Sequence, residues 1–441
     1  MKKNKLHRNL SPYLILLLGF ACVILVGTLL FLLPFSTKQG QHITFIDSLF
    51  LSTSAVCVTG LVSTPIAISE LLTPFGYFVL FSLIEVGGLG FITIVTFVFS
   101  FVRKKVNIST SVLLKEAMNQ NSYQELISLA KKIVLTSLAI QGIGVVFVTA
   151  SFLIEGFGFF NSIGNAIFHV ASSFNNAGFD ILGDSSLMLY KSNFLLMIVT
   201  ALLIIFGGLG FVVIFDLLDK KKYKKLSIHS KIVLKTTIYI IVFGTLFVKL
   251  SDWSHLSWMD SFLQVVFART AGFATINLAT LGKTTILIIS FIMFVGGSPV
   301  SIAGGVKTTT LYTIFKSIVG FGKGKKHIIA YNREITSDTV MKSYILVTVS
   351  LMFISLMCLL LSIFNPDLSL KSITFEAISA FATVGTSLGI TPLLSSGSKC
   401  VIIILMYFGR LGPITFISLL NRGYSIKDSS IGYIEEKIII G

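Results

Sequence analysis

Length, composition and charge together exclude an ordinary soluble domain. The chain has 441 residues, of which 54% are hydrophobic and 12% are charged, and its mean hydropathy of +0.90 indicates that much of its surface needs lipid. The net charge of +16 comes from basic clusters between apolar stretches, which does not favour nucleic acid as a partner. Four cysteines and six histidines show no metal-ligand spacing, so neither disulfides, a metal centre nor enzyme chemistry is indicated.

Eight long apolar stretches follow one another along the chain. Each approaches the length of about 20 residues that crosses a hydrocarbon core. The first follows basic residues, as in a signal peptide, but it is too long and has no small-residue cleavage site, so we expect a retained helix. The stretches are 13–33, 75–100, 133–154, 192–218, 231–250, 283–318, 340–364 and 399–420.

Between the members of each consecutive pair lies a shorter apolar piece that ends in a glycine-containing turn. These pieces are too short to cross and return, which is typical of re-entrant segments that line a watery cavity. The fold expected is an all-α membrane protein of four pseudo-symmetric repeats around one central pore, each with a transmembrane helix, a pore helix, a loop and a second transmembrane helix. The pieces are 44–61, 161–179, 257–273 and 370–387, and the repeats are 1–105, 106–225, 226–325 and 326–441.

Two landmarks recur in all four units, which argues for internal duplication. The re-entrant pieces align on Gly60, Gly178, Gly272 and Gly385, each ten residues after a phenylalanine and six residues after Ser54, Ser172, Val266 and Ser379. The second spans share the motifs 87–90, 207–210, 296–299 and 409–412, each beginning with glycine. Chance alignment would have to occur at both landmarks in every unit.

The distribution of Lys and Arg predicts the orientation. Most of them lie on the side of the N-terminus, including the run 220–225. The positive-inside rule therefore places both termini in the cytoplasm and the four re-entrant loops outside, in a multi-pass protein of the cytoplasmic membrane. The basic run is at least a topology signal, and it could also hold anionic lipid or a soluble partner.

Each loop supplies backbone carbonyl groups next to a glycine. Carbonyl oxygens in a ring can replace the hydration shell of a monovalent cation, and pore-helix C-termini add partial negative charge. The fourth loop reads like the start of a potassium-channel filter, and the other three are looser versions of it. The predicted filter residues are Val58, Thr59, Gly60, Asn176, Ala177, Gly178, Thr270, Ala271, Gly272, Thr383, Val384 and Gly385.

With its span, pore helix, filter glycine and second span repeated four times, the chain resembles the Trk/Ktr/HKT superfamily of potassium transporters over essentially its whole length, most closely the KtrB type of membrane subunit. In that superfamily, potassium selectivity goes with glycine in all four loops, and plant relatives that favour sodium have serine in the first. The resemblance therefore implies potassium uptake, in many members sodium-dependent, with K⁺ and Na⁺ as transported or coupling ions and no cofactor. It also implies a homodimer and a KtrA-like cytosolic ring subunit that binds nucleotide.

One span carries an unusual glycine-rich interruption. Four glycines and a proline within residues 296–307 break helical hydrogen bonding in mid-membrane. The resemblance assigns this segment the role of an intramembrane gate, and a plain kink is the alternative. The predicted gate residues are Gly296, Gly297, Ser298, Ser301, Gly304, Gly305 and Lys307, with Thr308 as a further hydrogen-bonding group.

Arg410 replaces the second glycine of the repeated motif. An arginine inside an apolar span is costly unless it meets water or a partner. In the superfamily an arginine of the last span faces the pore near the gate, so the resemblance implies that Arg410 opposes cations and contacts gate carbonyls. Pairing with Glu85 is the alternative.

Other polar residues near the loops have structural interpretations. We expect Arg269 to brace its loop from behind, and His169 and Glu376 to form hydrogen bonds behind the filter. Asp47 and Asp260 suit the first turns of their pore helices. The competing functions are a proton-coupled or weakly selective cation transporter, an intramembrane enzyme and a membrane scaffold, but the enzyme lacks a site and the scaffold does not need four aligned glycines.

Overall fold

The described chain is mostly helical with few strand residues, which confirms the all-α prediction. The computed structural model describes residues 12–90, 93–94, 96, 123–183, 186–325, 327–413 and 415–416. Much of the basic charge used to predict topology, at residues 2–8, 103–105 and 422–437, lies outside these residues.

The first helix of each repeat is long and apolar. Within the described residues these four helices have the length and composition to cross a membrane. Large apolar side chains such as Leu138, Phe243 and Leu359 are exposed on them, as expected of surfaces that face lipid. The first helices are Pro12–Phe31, Tyr123–Ile154, Ile228–Ser251 and Ser337–Phe364.

The pore helices are shorter and buried towards their C-terminal ends. Hydroxyl groups of Thr44, Ser257 and Ser369 accept hydrogen bonds from the first-turn amides of three of them, and Asp260 completes a capping box with Ser257. The first-turn positions expected for Asp47 and Asp260 are therefore observed. The pore helices are Phe45–Val56, Phe159–Phe174, Trp258–Ala268 and Leu370–Phe381.

The second helices differ from the continuous spans expected at 75–100, 192–218 and 399–420. They end after 16 residues, which is about 24 Å of helix and short of a hydrocarbon core of about 30 Å. Each ends at the fourth residue of the repeated motif, where Gly90, Gly210 and Gly412 have φ of +85°, +87° and +80°. Left-handed backbone cannot continue a right-handed helix, so the motif is a helix terminus. These helices are Pro74–Leu89, Phe194–Leu209 and Ser396–Leu411.

In repeat 2 the chain continues past the motif as Phe211–Lys220, bent by 97° from the preceding helix. Counting this bent pair as one span gives a fifth crossing by length and composition among the described residues, against the eight expected. In repeat 3 the break predicted within 283–318 is present, because Lys283–Phe294 and Thr308–Gly322 flank the non-helical residues 295–307. We call residues 295–307 the broken segment.

The four repeats pack as a closed ring. Each pore helix contacts the second helix of its own repeat and that of the preceding repeat, and the pore helix of repeat 1 contacts the second helix of repeat 4. Because the same contact recurs at all four boundaries, the pore helices surround one common centre.

Small elements join these helices. An antiparallel hairpin with two-residue strands, Ile329–Ala330 and Arg333–Glu334, precedes the first helix of repeat 4. The short helices are Ile68–Leu71, Met188–Tyr190, Tyr223–Lys225, Leu278–Thr280 and Thr391–Leu393.

Candidate functional site

The pore helices aim their C-termini at the four loops. Every one of them ends four residues before its glycine, at Val56, Phe174, Ala268 and Phe381. A helix C-terminus carries about half a negative charge, so the four ends together favour a cation at the centre.

The four glycines form one closed ring. A Cβ atom built on each of them would fall 3.0–3.2 Å from the Cα atom of the glycine in the next repeat. It would also collide with the carbonyl oxygen of the residue before that glycine, which is Ala177, Ala271, Val384 or Thr59 in turn. The order is Gly60, Gly178, Gly272, Gly385 and back to Gly60. We call the loops 58–60, 176–178, 270–272 and 383–385 the glycine ring.

The backbone of the ring alternates in handedness. The residue two positions before each glycine has a positive φ, at +50° for Val58, +52° for Asn176, +84° for Thr270 and +51° for Thr383. The glycines themselves have φ between +69° and +93°. Non-glycine residues seldom adopt this conformation, and such strain clusters at functional sites.

Hydrogen bonds to the pore helices fix which way the ring carbonyls point. The amides of Thr59 and Gly60 donate to the carbonyl and the hydroxyl of Ser54, at 2.7 and 3.1 Å. Val384 and Gly385 donate in the same way to Ser379, at 2.9 and 3.1 Å. Because N–H and C=O are opposed across a trans peptide, the carbonyls of these peptide units point away from the helix, towards the centre.

Repeats 2 and 3 vary this scheme. The amide of Ala177 donates to the Ser172 carbonyl at 2.7 Å, as in repeat 1. Repeat 3 has Val266 at this register, and there both Ala271 and Gly272 donate to the Phe267 carbonyl, at 2.9 and 3.1 Å. The loss of one hydroxyl is therefore compensated by a backbone acceptor.

A wide cavity opens on one side of the ring. It has a volume of about 680 Å³, and its lining includes all four glycines and residues that follow them in the chain. Asp180 is the acidic residue among the described lining, which includes no Lys or Arg. A cation therefore meets no positive side chain among the described residues that line this cavity.

The broken segment lies against the glycine ring and two neighbouring repeats. Its amides at Ser298 and Ile302 donate to the Gly208 and Gly207 carbonyls of repeat 2, at 3.0 and 3.3 Å. A Cβ atom on Gly304 would collide with the hydroxyl of Thr383 in the fourth loop. The segment is thus in contact with the base of the ring.

The predicted gate residues also contact one another. The Ser301 hydroxyl donates to the Ser298 carbonyl at 2.6 Å, and the Thr308 hydroxyl donates to the Ser298 hydroxyl at 3.4 Å. Lys307 donates to the Ala303 and Gly304 carbonyls, at 2.6 and 3.5 Å. Gly305 adopts a φ of +68°, and Gly296 lies against the carbonyl of Gly304 where the other motif glycines meet a pore helix.

Arg410 joins the broken segment to repeat 1. Its guanidinium donates to the Ile302 carbonyl and to the Gly87 and Gly88 carbonyls, the last at 3.2 Å. Glu85 instead accepts a hydrogen bond from Asn175 at 2.9 Å, and the ion pairs of the described residues do not include Arg410 with Glu85. The alternative of a simple Arg410–Glu85 pair is therefore wrong, because both groups have other partners.

The residues expected behind the loops are buried. Arg269, His169 and Glu376 are at most 5% exposed. His169 lies within hydrogen-bond distance of Thr200 at 2.8 Å, and Glu376 accepts from the hydroxyl of Thr391.

Sequence reasoning missed one contact that closes the ring of repeats. Lys399 of repeat 4 forms an ion pair with Asp47 of repeat 1 at 2.6 Å, and Asp47 also accepts from Ser63 at 2.6 Å. The available signal is a lone lysine near the start of an apolar span. The amide of Asn176, which is hydrogen-bonded to the Thr270 hydroxyl at 3.2 Å, is a second unpredicted link, between loops 2 and 3.

Comparisons with known proteins agree with this architecture. The family model described as TrkH, a cation transport protein, matches residues 23–423. The potassium/sodium uptake protein NtpJ of Enterococcus hirae is 38% identical, covering 100% of this chain and 99% of the relative. The Ktr system potassium uptake protein B of Bacillus subtilis is 32% identical, with 100% of both chains covered. The crystal structure of the potassium transporter TrkH from Vibrio parahaemolyticus has a TM-score of 0.75 at 19% identity, over 95% of this chain and 87% of that one, which shows a shared fold.

Proposed function

Because this chain belongs to the TrkH family of cation transport proteins, we propose that it is the membrane subunit of a potassium uptake system. The observation that carries the proposal is the closed glycine ring, in which every repeat contributes main-chain oxygens to one centre. Rings of carbonyl oxygens coordinate dehydrated monovalent cations. Two relatives that match over their full length are named as potassium uptake proteins, which supports K⁺ as the ion.

The proposal assigns selectivity to the glycine ring. Ser54 and Ser379 bind the amides of their loops, so the carbonyls of the same peptide units point away from the pore helices and cannot rotate freely. The size of the site is therefore set before the ion arrives. The hydroxyl of Thr383 is buried and has no hydrogen-bond partner in the described part of the chain, which leaves its oxygen free for an ion at the base of the ring.

The proposal assigns gating to the broken segment with Arg410. The segment is held by two amide hydrogen bonds to repeat 2 and, through the guanidinium of Arg410, to repeat 1, and these few hydrogen bonds can break without unfolding a helix. A guanidinium at this position also places positive charge on the path of the cation, and a unit charge near a low-dielectric path is worth several kcal/mol. Arg410 would then act both as a latch, which holds the broken segment against repeat 1, and as an electrostatic barrier to the cation.

Sodium dependence, orientation and partners complete the proposal. The name of the Enterococcus relative includes sodium, which supports Na⁺ as a coupling or second transported ion. The excess of Lys and Arg on one side supports cytoplasmic termini in the cell membrane. We assign to the same cytoplasmic face a nucleotide-binding ring subunit, and to the assembly a dimer of this chain.

Flux measurements in liposomes test the proposed function. Purified protein is reconstituted, and uptake of K⁺, Rb⁺ and Na⁺ is measured with and without a proton gradient. We expect K⁺ and Rb⁺ to enter much faster than Na⁺, without need of a proton gradient. Equal rates for the three ions would instead favour a weakly selective transporter, and strict dependence on the gradient would favour a proton-coupled one.

A further inference from the structure

The residue nine positions before each glycine divides the four repeats into two kinds. Repeats 1 and 3 have Leu51 and Leu263 there, both buried, whereas repeats 2 and 4 have His169 and Glu376. Since repeats 2 and 4 face each other across a ring of four, the pore helices carry apolar side chains at this register on one diagonal and polar side chains on the other. At this position of the pore helices the four repeats therefore follow twofold and not fourfold symmetry.

Glu376 lies in a fully enclosed position. Its side chain has 0% exposure, and one carboxylate oxygen accepts a hydrogen bond from the Thr391 hydroxyl. The other oxygen has no hydrogen-bond partner in the described part of the chain, and the ion pairs found there do not include Glu376. A buried carboxyl with so few partners costs folding energy, so packing alone does not account for it.

The partners of Glu376 belong to the chain that leaves the fourth loop. Thr391 also lies 3.0 Å from the hydroxyl of Ser387, which in turn accepts from the Gly389 amide at 3.0 Å. Ser387 and Gly389 line the wide cavity beside Gly385. The pore helix thus holds loop 4 twice, with Ser379 binding the residues up to Gly385 and Glu376 binding those after it.

His169 has a different set of partners, which makes it a natural contrast. Its Nε2 atom lies 2.8 Å from the Thr200 hydroxyl and 3.3 Å from that of Ser173, both within the helices of its own repeat. Its ring packs 5.2 Å from that of Phe273. In the described contacts His169 therefore forms no hydrogen bond to the residues that follow Gly178.

We propose that Glu376 is a specificity-determining positioning residue, which fixes the width of the glycine ring by tying the Ser387–Thr391 hydroxyl pair to the fourth pore helix. The inference rests on the proposed function, because it concerns the selectivity of the same ring. Loop 4 is the one whose sequence is most like a potassium filter, and Glu376 is the pore-helix side chain that binds its outgoing chain, beside the contact of Thr386 with Met293 of repeat 3. Releasing that anchor lets the ring adapt to a smaller ion.

The test compares substitutions at Glu376 and Thr391 with a control substitution at His169. Glu376→Leu introduces the residue that repeats 1 and 3 already accommodate at this register. Glu376→Gln retains an acceptor for Thr391, and Thr391→Val removes the donor from the other side with little change in volume. His169→Leu is the matched control in the opposite repeat. The measurement is the ratio of Rb⁺ to Na⁺ uptake in liposomes, alongside the thermal unfolding temperature.

We expect Glu376→Leu and Thr391→Val each to lower the Rb⁺/Na⁺ ratio about tenfold, as the loss of one buried hydrogen bond permits. Their double variant should lose no more than either alone, because both remove one contact. Glu376→Gln should keep most of the Rb⁺/Na⁺ ratio, and His169→Leu should leave the ratio within about twofold of that of the original protein.

A selective original protein whose Glu376→Leu and Thr391→Val variants keep the full ratio would overturn the inference and leave the proposed function intact. An original protein that transports neither K⁺ nor Rb⁺ would instead overturn the proposed function. If Glu376→Leu fails to fold, Thr391→Val decides alone, since an unchanged ratio there contradicts the positioning role.

Discussion

The glycine ring and the broken segment are adjacent, yet they are built on opposite principles. The ring uses the same part four times, and each glycine contacts the backbone of the next. The broken segment occurs once, its contacts to repeats 2 and 4 are different, and Arg410 of repeat 4 links it to repeat 1. A repeated part gives the ring carbonyls similar environments, which suits recognition of a spherical ion, whereas a part that occurs once can move without a matching change in the other three repeats.

The difference also appears in how the two regions resist movement. A side chain at any of the four ring glycines would collide with main-chain atoms of the next repeat, which are too tightly packed to move aside. The broken segment is held by individual hydrogen bonds to carbonyl groups, each worth about 0.5 to 1.5 kcal/mol for an amide donor and about 1.5 to 3 kcal/mol for the charged guanidinium. We therefore expect ring variants to lose selectivity and segment variants to change rate.

The largest effect is expected from Gly60→Ser. Gly60 has a φ of +91°, and a Cβ atom there would collide with the Ala177 carbonyl. Serine must push that oxygen out of the ring, so the preference for Rb⁺ over Na⁺ should fall by about a hundredfold, equivalent to about 2.7 kcal/mol. Competitive uptake of the two ions in liposomes measures it.

Gly164→Ser is the control for this change. Gly164 lies on the exposed face of the second pore helix, and a Cβ atom there has no neighbour within 4 Å. We expect its selectivity to be unchanged. If potassium preference survives intact in Gly60→Ser, the assignment of the filter is wrong.

A smaller effect, and of a different kind, is expected from Arg410→Ala. The change removes the link between Ile302 and the Gly87 and Gly88 carbonyls and removes a positive charge. The K⁺ uptake rate should rise about tenfold, which corresponds to about 1.4 kcal/mol of barrier. The Rb⁺/Na⁺ ratio should stay the same, because the ring is untouched.

Lys323→Ala matches Arg410→Ala in charge. Lys323 is exposed just after the helix that follows the broken segment. The substitution therefore removes one positive side chain without removing a contact to that segment. We expect no change in rate. A folded Arg410→Ala protein with an unchanged or lower rate would count against both the latch and the barrier.

The repeat architecture could be predicted because it depends on local sequence patterns. Pore-helix positions, the aligned glycines and the break within 283–318 all follow from apolar length and glycine placement, and the structure shows each of them. The ends of the second helices could not be predicted in the same way. Apolar residues continue beyond Leu89, Leu209 and Leu411, so composition alone favours an unbroken helix.

Contacts between distant parts of the chain were also beyond the sequence. Arg410 was expected to meet the broken segment, but its bonds to Gly87 and Gly88 join residues more than 300 positions apart. Glu85 and Arg410 have opposite charges, which made an ion pair the alternative interpretation, whereas in the fold Glu85 accepts a hydrogen bond from Asn175. Only the arrangement of the repeats decides which of two compatible partners lies nearby.

The smallest effect is expected where the first and last repeats meet. The boundaries between repeats 1 and 2, 2 and 3, and 3 and 4 each join units that follow one another in sequence, but repeat 4 meets repeat 1 only through packing and side-chain contacts such as Lys399 with Asp47. Both side chains of this pair are 14% exposed, so Lys399→Met should destabilise the protein by about 2 kcal/mol, between the values for buried and surface pairs.

The control for Lys399→Met is Lys342→Met, which breaks a pair with Asp338 whose side chains are 63% and 70% exposed. Thermal unfolding in detergent should show a fall of a few degrees for Lys399→Met and almost none for the control. Equal unfolding temperatures would mean that the Lys399–Asp47 pair is no stronger than a surface pair. The glycine ring would then be closed by main-chain and apolar packing alone, and its contrast with the broken segment, which also depends on the Arg410 side chain, would become sharper.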